Sequence, residues 1–183
     1  WNNGNRSVLM DARVSGLLVG QSLRTDPVEI YRALIEATAF GARVIIERME
    51  SFGLKVEEVV CCGGISEKND LLLQIYADVL KRPMKLAESA QACALGAAIF
   101  GSVVAGKANG GYDRAEDAQA KMCELKPKVF RPSAFAAAVY DQLFQIYLAL
   151  HNSLGGVDKS ADLGGVMKKL LEIKESSARA ARK

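Results

Sequence analysis

Residues 57–70 read EEVVCCGGISEKND: an apolar strand, a break on two glycines, and a restart on polar residues that open a helix. Glycine carries no Cβ, so two in a row let another group approach the backbone closely. A helix that starts just after a parallel strand also presents free N–H groups and the positive end of its dipole, which suits an anion such as a nucleotide phosphate. Composition alone leaves two readings open, a tight turn and a ligand site. The stretch is neither a dinucleotide fingerprint, since G-x-G-x-x-G is absent, nor a P-loop, since no Gly-Lys-Ser or Gly-Lys-Thr follows.

Downstream, NDLLLQIYADVLK is predicted to be a helix capped by Asn69 or Asp70, and PMKLAE a second strand. Strand, turn, helix and strand make a βαβ unit, so the strands should be parallel and the crossover right-handed. Upstream, TDPVEIYRALIEATAFGARVIIERMESFG starts a helix with Asp26 as cap, Pro27 in the first turn and Glu29 completing a capping box. Tyr31, Ile35, Thr38, Ala42, Ile45, Met49 and Phe52 recur three or four apart as its predicted inner face, and Gly53 stops it. After the second strand, ESAQACALGAAIFGSVVAG reads as a helix of small residues whose backbone can lie close to a neighbour. Residues 106–132 read as a partly helical excursion ending in an extended piece. Two amphipathic helices follow, from about Pro132 to His151 and from Asp162 to Glu175, split by Gly155 and Gly156. No internal repeat is present. The fold class is α/β, a βαβ unit with several packing helices. Two parallel strands alone would leave unpaired edges, so further strands are expected from upstream in a longer protein or from a second copy.

The 183 residues are half hydrophobic, enough for one domain with a core. No uninterrupted apolar run is long enough to span a membrane, and the first residues lack the basic-then-apolar order of a signal peptide, so the expected compartment is the cytoplasm, with no membrane partner. From Lys168 onward six Lys or Arg stand against two Glu, which accounts for the net +3 and leaves the body near neutral. That argues against nucleic acid as a partner and for a solvated basic C-terminal helix. Cys61, Cys62, Cys93 and Cys123 form no C-x-x-C pair, and His151 is the single histidine, so neither a metal site nor a disulfide scaffold is expected. The cysteines read as small buried hydrophobes and His151 as a packing or helix-end residue.

Several segments in order carry a resemblance. WNNGNRSVLMDARVSGLLVGQSL, EIYRALIEATAFGARVIIE, VVCCGGISEKNDLLLQIYADVLKRPMKL, SAQACALGAAIFG and the late VYDQLFQIYLALHNSLG together closely resemble the C-terminal domain of the FGGY carbohydrate kinases, and within them the L-ribulokinases. NGNRS matches the family's N-G-E-R-T segment with Asn5 in the Glu position, and Gln21 stands where the signature usually has an aliphatic residue. The resemblance implies an actin-like ATPase with two RNase-H-like domains around a cleft, of which residues 1–183 would be the C-terminal nucleotide-binding part, without its upstream strands and the N-terminal sugar-binding domain. It implies that Gly63, Gly64 and Ile65 approach the ribose and α-phosphate side of ATP and that Asn69 lines the adenine pocket. Ser89, Gln91, Ala94 and Gly96, near the start of the small-residue helix, would pack behind that site; Ser89 and Gln91 read equally well as caps.

The implied reaction is transfer of the γ-phosphoryl group of Mg-ATP to a sugar hydroxyl, the 5-hydroxyl of L-ribulose in ribulokinases, with an Asp accepting the hydroxyl proton. In the family that Asp, the first phosphate loops and most sugar contacts lie upstream of the segment matching WNNGNRS. Asp11, Asp26, Asp70 and Asp78 pair with no recognisable phosphate loop, so the chain alone is expected to be inactive, with Mg²⁺ held mainly by phosphates and upstream residues. A homodimer is expected. The competing readings are another pentulose kinase such as a xylulokinase, a non-catalytic kinase-like module for nucleotide sensing or oligomerisation, and a helical interaction domain whose glycine turn is purely structural and whose basic tail meets an acidic partner.

Overall fold

The computed structural model describes Trp1 and residues 4–180; Asn2 and Asn3 of the WNNGNRS segment and the tail's Arg182 and Lys183 lie outside the described residues. In chain order the elements are α1 (Pro27–Glu50), β1 (Val59–Cys61), α2 (Gly64–Lys68), α3 (Asp70–Leu80), β2 (Met84–Ala87), α4 (Ala92–Ala105), a 3-10 turn (Lys107–Asn109), α5 (Ala115–Met122), β3 (Leu125–Phe130), α6 (Ala134–Leu154) and α7 (Val166–Ala180). They divide into two compact units. One comprises Trp1–Val56, Asp78–Lys81 and the residues from Pro132 on; the other comprises Glu57–Ala77 and Arg82–Arg131.

The second unit contains the βαβ motif. β1 and β2 are parallel, with Val59 opposite Met84 and Cys61 opposite Leu86. The extended piece expected near residue 130 forms β3, which pairs antiparallel with β2, Met84 opposite Phe130, with an irregularity between Lys85 and Ala87. The sheet order is therefore β1-β2-β3, and β2 has a partner on both sides where the sequence offered only one. The two outer strands differ. β3 carries Lys126, Pro127 and Lys128, residues that discourage further pairing, whereas β1 is Val59-Val60-Cys61 with nothing to guard it. Leu73, Ile75, Met84, Leu86, Ile99 and Phe130 form the unit's core.

In the first unit, α1 starts as its sequence requires: Asp26 Oδ1 accepts from the Glu29 N–H at 2.9 Å and the Glu29 carboxylate accepts from the Asp26 N–H at 3.3 Å. The helix stops at Glu50, and Gly53 (φ +87°) closes the turn after it. The inner face differs from the periodicity-based expectation. Ile35, Ala39, Phe40, Arg43 and Val44 are buried, while Tyr31, Ile45, Met49 and Phe52 are exposed. Aromatic packing sets the rotation: Phe40 lies 6.0 Å from Tyr140, 6.0 Å from Phe144 and 5.3 Å from Tyr147, all on α6. Arg43 takes a core position that an apolar count cannot foresee. Its guanidinium lies 4.0 Å over the Phe144 ring and bonds Glu47 and Asp141, each at 2.8 Å, so the buried charge is both paired and stacked. Burial works to raise the Asp141 carboxyl, but bonds from Arg43 and Lys81 hold it below its usual range. Tyr140 donates to Glu36 at 2.8 Å, and burial followed by that carboxylate pushes its phenol up to about 12.

α6 and α7 run further than predicted, to Leu154 and Ala180. His151 is buried, as expected of a packing residue: the Asn5 amide donates to its Nε2 at 3.2 Å, Asn152 Oδ1 lies 3.0 Å from its Nδ1, and Trp1 meets it edge-on. Asn5 also accepts from the Val8 and Leu9 N–H groups. A glutamate there would offer no donor to the imidazole, so the departure at Asn5 fits the histidine beside it. The cysteines correct the expectation of burial: Cys61 is half-buried, and Cys62, Cys93 and Cys123 are exposed. Cys62 enters the glycine turn, Cys93 is on the uncovered face of α4, and Cys123 follows the last turn of α5. Among the described residues no helix is long and apolar enough to cross a membrane.

Candidate functional site

β1 delivers the chain to Gly63 and Gly64, which are glycines for different reasons. Gly63 has φ +96° and ψ 164°, a region open essentially to glycine alone. Gly64 has no such backbone demand. A Cβ built at either position meets no heavy atom within 4 Å. Among the described residues nothing beyond its own chain neighbours and helix backbone approaches the Cβ position of Gly64, so its missing side chain answers to no packing contact.

The turn does not feed α3 directly, as the sequence suggested. It enters the five-residue α2, then Asn69, then α3. A helix that short has little macrodipole, so the anion argument from helix polarity weakens and the bare backbone of the glycines carries the site. Of the two proposed caps, Asn69 is the one that serves: its Oδ1 accepts from the Leu72 N–H at 3.0 Å. Asp70 instead pairs with Lys128 at 2.5 Å, and Glu67 pairs with Lys126 at 3.1 Å, so both carboxylates are drawn toward β3.

Gly64, Ile65, Lys68 and Asn69 line an open depression of about 500 Å³. The structure thus brings together Gly64, Ile65 and Asn69, with Gly63 adjacent in the chain. Ile65 is 71% exposed, an apolar side chain held at the rim where a flat ring could rest on it. Lys68 was not singled out in the sequence. Its signal was its spacing, four residues from Gly64 and hence on the same helix face.

Gln91 and Gly96 do not line the depression. β1 and β2 are parallel and in register, so the turn after Cys61 and the loop after Ala87 leave the sheet at the same edge, where ligands of parallel sheets commonly bind. In that loop Ser89 Oγ accepts from the Gln91 N–H at 3.2 Å, a bond within the turn ahead of α4 rather than a cap on the helix. Gln91 occupies the position that starts α4 but its side chain makes no capping bond, and Gly96 has open space above it. α4 packs against α5, yet Cys93, Ala94, Ala97, Phe100, Gly101 and Val104 leave an exposed face without one polar side chain.

The acids are engaged elsewhere. Asp11 accepts from Arg13, Asp26 caps α1, and Asp78 accepts from the Ser133 N–H at 2.7 Å. Burial, with the adjacent Cys62, pushes the Cys61 thiol up, so it is not an activated nucleophile. Among the described residues no group of three His, Cys, Asp or Glu is placed to hold a metal ion. A second cavity, of about 600 Å³ and apolar, lies in the first unit among Leu17, Leu34, Phe40, Tyr147, Leu150 and Leu170; no predicted site residue lines it.

Residues 1–105 match the model of the FGGY family of carbohydrate kinases, C-terminal domain. A ribulokinase of Halalkalibacterium halodurans is 48% identical over 174 residues, covering 95% of this chain and 30% of that protein. A ribulokinase of Geobacillus thermodenitrificans is 47% identical over 182 residues, covering 100% of this chain and 31% of that protein. The crystal structure of xylulose kinase from Rhodospirillum rubrum superposes with a TM-score of 0.66 at 28% identity, covering 79% of this chain and 28% of that one. The chain therefore spans about three tenths of the length of the ribulokinases it matches.

Proposed function

The chain belongs to the FGGY family of carbohydrate kinases, with the α/β fold of the actin-like ATPases, and from that membership we propose that it is the C-terminal, nucleotide-binding part of an ATP-dependent sugar kinase. The sugar is L-ribulose in this reading, because identity to the ribulokinases is 47–48% against 28% for the xylulose kinase. Gly63, Gly64 and Ile65 receive the ribose and α-phosphate side of the nucleotide, and Asn69 turns its amide to the adenine. Gln91 and Gly96 stand behind, on the loop and helix that leave the same sheet edge. The nucleotide supplies the phosphoryl group that the sugar hydroxyl accepts. The proton-accepting Asp, the first phosphate loops and the ligands of the divalent ion, Mg²⁺ in this reading, belong to the part of the longer polypeptide that precedes this chain. The work left to residues 1–183 is binding and orientation, and the enzyme acts in the cytoplasm.

The observation that carries this reading is Gly64, a position that needs no glycine for backbone or packing and stands beside the depression. Calorimetric titration of ADP with Mg²⁺ into the full-length polypeptide, beside its Gly64→Val variant, tests it. We expect binding that the substitution abolishes while the melting temperature stays within about 2 °C. Equal affinity in both proteins would reduce the turn to architecture and favour a purely structural role.

The bare face of α4 and the unguarded edge of β1 bear on domain organisation. The preceding part of the longer polypeptide covers both surfaces, and the isolated chain uses them to form a homodimer. Light scattering of the isolated chain at increasing concentration should show a rising mass; a constant monomer mass counts against the dimer.

A further inference from the structure

We propose that Lys68 is a nucleotide-binding residue whose ammonium pairs with a phosphate of the nucleotide lying against Gly64, so that the site separates charged nucleotides from the uncharged nucleoside. The inference rests on the reading of the glycine turn given above and adds a residue that neither composition nor motif placed there. Gly64 and Lys68 stand at i and i+4 on α2, one above the other on a single face. Any ligand resting on the bare backbone of Gly64 lies within reach of the Lys68 side chain. Both line the same depression, and Lys68 is the charged member of that lining.

The electrostatics around it are arranged consistently. Glu67, the acid next to it in sequence, is paired with Lys126, and Asp70, two residues on, is paired with Lys128. Among the described residues Lys68 itself makes no ion pair or hydrogen bond, and it is exposed. The two carboxylates that would otherwise neutralise it are thus held by the lysines of β3, leaving one uncompensated cation beside a strip of backbone with no Cβ. A phosphate suits that pairing better than a ribose or a base, because an ammonium is a compact point charge with three donors and no acceptor.

The test uses the full-length polypeptide and two ligands, ADP and adenosine, titrated calorimetrically into the unsubstituted protein and into Lys68→Gln and Lys68→Arg. We expect Lys68→Gln to weaken ADP about tenfold, the size of one charge-assisted contact at an exposed site, while adenosine changes less than about twofold. Lys68→Arg should restore most of the ADP affinity. Equal weakening of both ligands would overturn the inference, since it would mark Lys68 as a packing or folding residue, and so would an unchanged ADP affinity. If ADP affinity is unchanged in Lys68→Gln but lost in Gly64→Val, the glycine turn stands and Lys68 falls. If the unsubstituted protein binds neither ligand, both fall together.

Discussion

α6 and α4 are both apolar helices, and they end in opposite situations. α6 buries Ala137, Tyr140, Phe144 and His151 and packs against α1 and α7, both in its own unit. α4 buries only Ile99 and leaves Phe100 67% and Val104 87% exposed. The difference lies in how the apolar residues are spread. α6 carries its buried residues where α1 and α7 meet it, whereas α4 is apolar all round and keeps a face that no described residue covers, the signature of a helix interior to something larger. α6 is thus complete within its unit, and α4 has one face still to be filled.

Substitutions can break or sharpen this contrast. The largest effect should come from the completed helix: Phe144→Ala empties a fully buried site under Arg43 and should cost about 3–5 kcal/mol in denaturant unfolding. Next is pH. The Tyr140 phenol is pushed up to about 12 from 10.0, so the folded state holds its proton more tightly than the unfolded chain does. The associated stability is fully present below pH 10 and is lost as pH rises toward 12, by up to ~2 kcal/mol. Tyr140→Phe should flatten that stretch of the pH profile.

The glycine pair follows. Gly63→Ala should destabilise the protein by about 1–2 kcal/mol, because its backbone conformation excludes a side chain. Gly64→Ala, at a position of ordinary backbone with open space, should be neutral or stabilise by a few tenths of a kcal/mol, by restricting the unfolded chain. Equal losses at both positions would remove the distinction on which the site reading rests. The smallest effect should be Phe100→Ser on the open face of α4, about 0.5 kcal/mol or less in the isolated chain, with reduced self-association by light scattering. On the proposal that the preceding part of the polypeptide covers this face, the same substitution in the full-length protein should cost several times more.

Local signals and non-local ones were not equally legible in the sequence. The capping box of α1, the parallel β1–β2 pair and the glycine turn are written in neighbouring residues and were read correctly. The rotation of α1 was misread, because it depends on Phe40 meeting the rings of α6 and on Arg43 finding Asp141, partners about a hundred residues away. β3 was read only as an extended piece, since Lys-Pro-Lys hides an edge strand whose purpose is to refuse further pairing. Of the residues expected from the family resemblance, Gly64, Ile65 and Asn69 line the depression with Gly63 next in the chain, while Gln91 and Gly96 do not. Lys68, which lines the same depression, escaped because its spacing of four from Gly64 marks a shared face only once residues 64–68 are known to be helical. The burial expected of the cysteines failed for a related reason: hydrophobicity does not say whether the covering surface belongs to the same stretch of chain.

The edge-on contact of Trp1 with His151 gives the molecule a means of watching its parts separately. The single tryptophan and the single histidine both sit in the unit built on α1 and α6, whereas all four cysteines sit in the unit that carries the glycine turn. Indole emission therefore reports the melting of one unit, and labelling of the half-buried Cys61, read apart from the three exposed thiols, reports the opening of the other. Coincident curves would mark a single cooperative transition, and separated curves would give each unit its own stability without any engineered probe.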